Sequence, residues 1–107
     1  MGEWPDYYRV IHSLSRSRNR ARVLVFLYDN RNYPYSIYDI ARSSGTVSGN
    51  VAGALCGDGK KYRQEDSLIG LGLVRRETAG NCRVRIYSIT PQGMNVARLI
   101  KRHRCFW

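Results

Sequence analysis

Residues 40–55 read "IARSSGTVSGNVAGAL", a run of small and apolar residues with a glycine-bearing turn at its centre. Two short helices that cross closely need a small residue at the crossing, and Ala41 supplies it. The turn between them needs a residue that tolerates a positive backbone angle, and Gly45 supplies that. Ile40, Val51 and Ala54 fall where apolar anchors are needed to hold both helices to a core. The stretch therefore predicts a helix, a tight turn and a second helix that begins near Thr46 or Ser48. That second helix must stop by the glycines of "GDGKKY" (57–62). Its outward side is expected to carry Val47, Ser48, Gly49, Asn50, Ala52, Gly53 and Cys56.

Upstream, "YPYSIYDIARSSG" (33–45) supplies the first helix of this pair. Ser36 with Asp39 three residues later resembles a capping box, and Ile37, Ile40 and Ala41 form one apolar face. Asn30 through Pro34 breaks the chain before it. Further back, Ser15 or Ser17 can cap a helix over "RSRNRARVLVFLYDN" (16–30), where Ala21, Leu24, Val25 and Tyr28 recur at helical spacing. The run "VLVFLY" is also compatible with a buried strand. Pro5 and Asp6 suit the first turn of a leading helix over "PDYYRVIHSL". Downstream, "QEDSLIGLGLV" (64–74) predicts a short helix burying Leu68, Ile69 and Leu71, closed by Gly72. A hairpin follows over residues 73–90. Val74 leads out, Ala79 to Asn81 turn, and Val84, Ile86 and Ser88 alternate with Arg83, Arg85 and Tyr87. Thr90 then caps, and Pro91 opens, a last helix over "QGMNVARLIKRH", whose basic end suits the helix dipole.

The 107 residues allow one domain with one modest core. The longest apolar run, Val23 to Tyr28, is far too short to span a bilayer. No apolar block follows the N-terminus in the manner of a signal peptide, so a soluble cytoplasmic protein is expected. Cys56, Cys82 and Cys105 are widely separated and show no metal-ligand spacing, which suits unpaired structural thiols in a reducing compartment. His12 and His103 have no partner in sequence for metal or nucleophilic work. No catalytic constellation, metal site or cofactor motif emerges, and the "GDG" glycines lack the strand–helix surround of a nucleotide cradle. The formal net charge is +10, carried by arginine far more than by lysine. Arginine's planar fork suits phosphate and guanine edges, so the balance points to nucleic acid. An anionic membrane would want a basic amphipathic helix with bulky apolar residues opposite, and only the C-terminal helix approaches that. RNA lacks support from any aromatic-bearing sheet motif.

From about Arg20 to Ile100 the chain resembles a winged helix-turn-helix transcriptional regulator of the archaeal type. The likeness is carried by "YDIARSSGTVSGNVAGAL" (38–55), "GDGKKYRQEDSLIGLGLV" (57–74) and "YSITPQG" (87–93). It implies an α+β fold, a single winged helix-turn-helix domain with a helical core, a β-hairpin wing and flanking terminal helices. Residues 15–90 would form the core, with 1–14 and 91–107 flanking it. It also implies DNA binding, commonly as a homodimer acting in transcription.

On that reading Thr46, Ser48 and Asn50 are the candidate contacts of the reading helix. Asn50 can pair bidentately with adenine, and Val47 or Ala52 can meet a thymine methyl. No arginine is available there for guanine. The cations lie elsewhere: Lys60, Lys61 and Arg63 in the following loop, and Arg76, Arg83 and Arg85 on the hairpin with Asn81 at its turn. Arg16, Arg18, Arg20 and Arg22 crowd the start of an earlier helix. Phosphate contacts and hairpin arginines are therefore expected to supply most affinity, with thin base readout and a steep salt dependence. The plain alternatives are that "GDGKKY" is a solvated turn, that Arg16 to Arg22 only solubilise a helix, and that Tyr62 packs under its loop instead of stacking on a base. Trp4, Tyr7, Tyr8, Phe106 and Trp107 place aromatics at both chain ends, which suits a homodimer through the first and last helices. Nothing resembles a small-molecule effector domain. The expectation is a sequence-specific regulator binding double-stranded DNA. Its rivals are a weakly specific architectural DNA binder and a winged-helix protein-interaction module.

Overall fold

The structure is a computed structural model and describes residues 7–57, 64–78, 80 and 84–103. The order of elements is α1 (Tyr7–Ser15), α2 (Arg18–Asp29), α3 (Ile37–Ser44), α4 (Ser48–Cys56), a 3-10 turn at Gln64–Asp66, β1 (Val74–Thr78), β2 (Arg85–Ile89) and α5 (Pro91–His103). It is an α+β arrangement of five helices and one antiparallel hairpin.

The centre of the molecule is α2. Ala21, Val23, Leu24, Val25 and Leu27 are all buried on it, and it packs against α1, α3, α4, α5 and β2. The apolar run 23–28 is thus helical, not a strand. A buried run in this position is apolar nearly all round because four helices and a strand surround it. Ser17 caps its start by accepting from the Arg20 N–H at 3.3 Å. Asn30 closes its end, donating from backbone N–H and from side-chain Nδ2 to the Phe26 carbonyl. The terminal helices share the same core: Val10 and Leu14 of α1 and Val96, Ala97 and Ile100 of α5 are buried in it.

Local signals fix α3. Ser36 Oγ accepts from the Asp39 N–H at 3.3 Å and donates to the Asp39 carboxylate at 3.1 Å. Gly45 ends the helix in the left-handed region (φ 69°, ψ 31°), and its N–H and that of Thr46 both reach the Ala41 carbonyl. Only a residue without a Cβ adopts that angle cheaply.

Three expectations are corrected. The "QEDSLIGLGLV" segment is not a helix but a single 3-10 turn followed by tight turns, with Leu68 buried and Ile69 and Leu71 only half-buried. Its backbone is spent elsewhere, because the Leu68 and Ile69 N–H groups donate to the Ala54 and Leu55 carbonyls at the end of α4, both at 3.0 Å. Those bonds satisfy carbonyls that a helix terminus would otherwise leave open. Next, the hairpin's alternation runs the other way. Tyr87 and Ile89 are buried, whereas Val84 is exposed and Ile86 half-buried. Finally, Gly53 of α4 is buried, not outward-facing.

The register explains the second correction. Val74 pairs with Ile89, Arg76 with Tyr87 and Thr78 with Arg85, so these six share one face of the sheet. At the base that face is core. The other edge of β2 is held by Tyr35, whose N–H and carbonyl exchange bonds of 3.0 and 2.8 Å with Tyr87. Tyr35 in turn packs edge-on against Phe26 of α2, with centroids 5.2 Å apart. The hairpin and the start of α3 are therefore fastened to one another and to the central helix.

Candidate nucleic-acid interface

The described surface near α4 is built from three parts. The first is the turn and the opening of α4. Val47 is the N-cap residue, and as a valine it supplies no side-chain acceptor to the first N–H groups of the helix. It is also 64% exposed. An uncapped, exposed helix start presents backbone donors and the positive end of the dipole. Thr46, Ser48 and Asn50 are each half-buried around this turn, and Asn50 Nδ2 points to Thr46 Oγ1 at 3.5 Å. The structure thus brings Thr46 and Asn50 together, with Ser48 on the same turn of chain. Gly49 beside them is exposed.

The second part is the outer half of the hairpin. The face that buries Val74, Tyr87 and Ile89 at its base carries Arg76 and Arg85 further out, both exposed. The opposite face holds an exposed ion pair, Arg75 with Glu77 at 3.2 Å, which neutralises the hairpin's far side. The third part ties the hairpin to the far end of α4. Arg76 Nη1 lies 3.9 Å from Cys56 Sγ at the end of α4, and the Tyr87 hydroxyl lies 3.9 Å from the same sulfur. Burial above all, and then the Cys56 thiol, push the Tyr87 phenol above its ordinary range, with Arg76 opposing. The hydroxyl therefore keeps its proton at neutral pH.

Two arginine assignments separate here. Arg16, Arg18 and Arg22 are exposed, but Arg20 is buried, with 6% of its surface accessible. Its Nη1 donates to the Ser13 carbonyl and hydroxyl oxygens, each at 3.2 Å, and Ser13 Oγ donates onward to the Asp66 carbonyl at 2.6 Å. Arg20 is a strut between α1, α2 and the 3-10 turn, and it makes no outward surface. Arg42 was missed from the sequence. It stands exposed on α3 and pairs with Asp39 at 2.9 Å. Its position opposite Ile40 and Ala41 on a short amphipathic helix was the available signal.

Lys60, Lys61, Arg63, Asn81 and Arg83 lie outside the described residues, as do Tyr62, Cys82, Cys105, Trp4, Phe106 and Trp107. Among the described residues no group of His, Cys, Asp and Glu is placed to hold a metal ion, and no helix is long and apolar enough to cross a membrane.

Residues 10–100 match the EarA-like family. The chain belongs to that family. It is also 36% identical over 94 residues to an uncharacterized protein of Methanocaldococcus jannaschii, a match covering 86% of this chain and 81% of that relative. The archaeal likeness expected from the sequence agrees with that source. No solved structure matches the chain significantly. The matched span runs from α1 to α5, so the family signature includes the core helices, the helix pair and the hairpin together.

Proposed function

We propose that this EarA-like chain is a winged helix-turn-helix DNA-binding protein that regulates transcription as a homodimer. In this reading α3 and α4 are the helix-turn-helix, β1 and β2 are the wing, and α4 enters a major groove. The observation that carries it is the contact of Arg76 with Cys56. Through it the hairpin's cationic face meets the C-terminal end of α4, with the neutralised Arg75–Glu77 face turned away.

The division of labour follows from composition. Residues 37–57 contain only Arg42 as a cation and only Asp39 as an anion, so this segment brings little electrostatic attraction of its own. Phosphate affinity falls to Arg76 and Arg85, together with Lys60, Lys61, Arg63 and Arg83, while Thr46, Ser48 and Asn50 meet the bases and Asn81 meets the backbone. The small residues of α4 let its backbone approach the duplex closely, and its uncapped first turn can face a phosphate. At the other end, Tyr8 of α1 is 90% exposed and Ile11 is exposed beside it, which suits burial against a second copy.

Equilibrium binding to a preferred duplex, compared with scrambled duplexes over a range of salt, tests these roles. Arg85→Ala and Lys60→Ala should weaken binding equally on all sequences and lower the salt slope by about one each. Asn50→Ala should relax preference at one base pair, at about 1–3 kcal/mol on the best site. An Asn50→Ala protein indistinguishable from wild type on every duplex would remove the base-reading role. The weakly specific architectural reading is favoured by the same scarcity of side-chain donors on α4. It predicts that scrambled duplexes bind as well as any other.

A further inference from the structure

The described surface holds a second cluster of cations, and it is assembled from residues about 70 positions apart in sequence. The half-buried ring of Tyr28, at the end of α2, has Arg31 Cζ 4.6 Å from its centroid, Lys101 Nζ at 5.7 Å and Arg98 Cζ at 5.8 Å. Arg31 Nη1 donates to the Tyr28 carbonyl at 2.9 Å, Arg98 Nε to the Tyr28 hydroxyl at 3.2 Å, and Arg98 Nη1 to Asn95 at 3.2 Å. Lys101 pairs with Asp29.

One aromatic ring and one carboxylate thus hold three like charges, leaving the cluster with a surplus of two positive charges. The ring's negative face and the negative end of the α2 dipole offset part of their repulsion. Capping of α2 accounts for Arg31 alone. Arg98 and Lys101 arrive from α5, and Arg102 beside them is exposed as well. All three clustered cations reach solvent. The arrangement fixes two guanidinium groups and an ammonium close together and leaves them short of anionic partners, which is the composition of an oxyanion site.

We infer that this cluster is a second phosphate-backbone surface, with which one chain grips a second duplex segment. The inference rests on the DNA-binding reading above. It extends that reading because the cluster belongs to the α2–α5 pair, whereas α4 packs on α2 and α3. Duplex DNA is the polyanion such a basic chain concentrates around itself.

The experiment measures capture of a fluorescent duplex by an identical duplex immobilised on beads, with the full chain as the bridge. Anisotropy on one short duplex serves as the control. Wild type should capture the second duplex. The triple variant R31Q/R98Q/K101Q should hold the single short duplex within about twofold of wild type yet lose capture at least tenfold. Retained single-duplex affinity also reports that the variant is folded. Equal capture by the variant would overturn the inference and assign bridging to dimerisation. Single-duplex binding by wild type without any capture would overturn it alone. Failure of wild type to bind even the single duplex would remove the DNA-binding reading and this inference together.

Discussion

Arginine residues two positions apart on α2 have opposite fates. Arg20 lies three, four and seven residues before Val23, Leu24 and Leu27, so it belongs to the buried stripe, and its guanidinium is held by Ser13. Arg22 is exposed. Arg20→Ala should therefore cost about 2–4 kcal/mol, through lost hydrogen bonds, a cavity and an orphaned Ser13 carbonyl. Arg22→Ala should stay within about 0.5 kcal/mol. Urea unfolding of both variants checks this, and equal costs would contradict the strut assignment. The periodicity that exposes Arg20 as inward was present in the sequence. It was outweighed because a run of four alternating arginines looks like a solvated or phosphate-binding face. Burial of the one at position 20 depends on Ser13 and the Asp66 segment, which come from other elements.

At the scale of elements, the parts legible in sequence are those whose cause is local. The Ser36 cap, the left-handed Gly45 and Thr90 before α5 all fall where residue type alone places them, and Ser17 is one of the two caps that residue type offers for α2. Thr90 Oγ accepts from the Gly93 N–H at 3.0 Å and donates to the Gly72 carbonyl at 2.7 Å, so it caps α5 and ties it to the turn before β1. The hairpin's phase was not legible. Val84 and Ile86 are as apolar as Tyr87 and Ile89, and a period of two cannot tell which set meets the core. That choice is made by Tyr35 and Cys56, distant in sequence. Nor could the sequence assign the 64–74 segment, whose N–H groups go to α4 instead of to a helix of its own. Two glycines separate local from tertiary causes. A Cβ at Gly45 would meet nothing within 4 Å, so Gly45→Ala should cost only the left-handed backbone, about 1–2 kcal/mol, with the fold kept. A Cβ at Gly93 would sit 2.1 Å from the Leu73 carbonyl oxygen and 2.7 Å from Ile89 Cγ1. Gly93→Ala must push α5 off the hairpin's base and should cost more, roughly 3 kcal/mol or above. Thermal melts of the pair decide it. Equal shifts would contradict the close approach of α5.

Over the whole molecule, charge and shape are divided between different surfaces. The α3–α4 helix pair is almost neutral, the β1–β2 hairpin carries Arg76 and Arg85 on one face, and a further cationic cluster sits on the α2–α5 pair. The helix pair could be located from residues 40–55 because turn chemistry and apolar spacing are contiguous there. The α2–α5 cluster could not, because only folding brings Tyr28 to Arg98 and Lys101. The candidate site was legible in the same uneven way: Thr46 and Asn50 are close in sequence and in space, while the link from Arg76 to Cys56 needs the hairpin's register. In the proposed reading α4 and the β1–β2 hairpin select DNA together, with two copies acting at once. Selection of bound duplexes from a random pool at near-physiological salt tests it most directly. The expected result is enrichment of a two-fold-symmetric motif whose half-sites lie about one helical turn apart, or a multiple of that. Recovery of no duplex above background would contradict it.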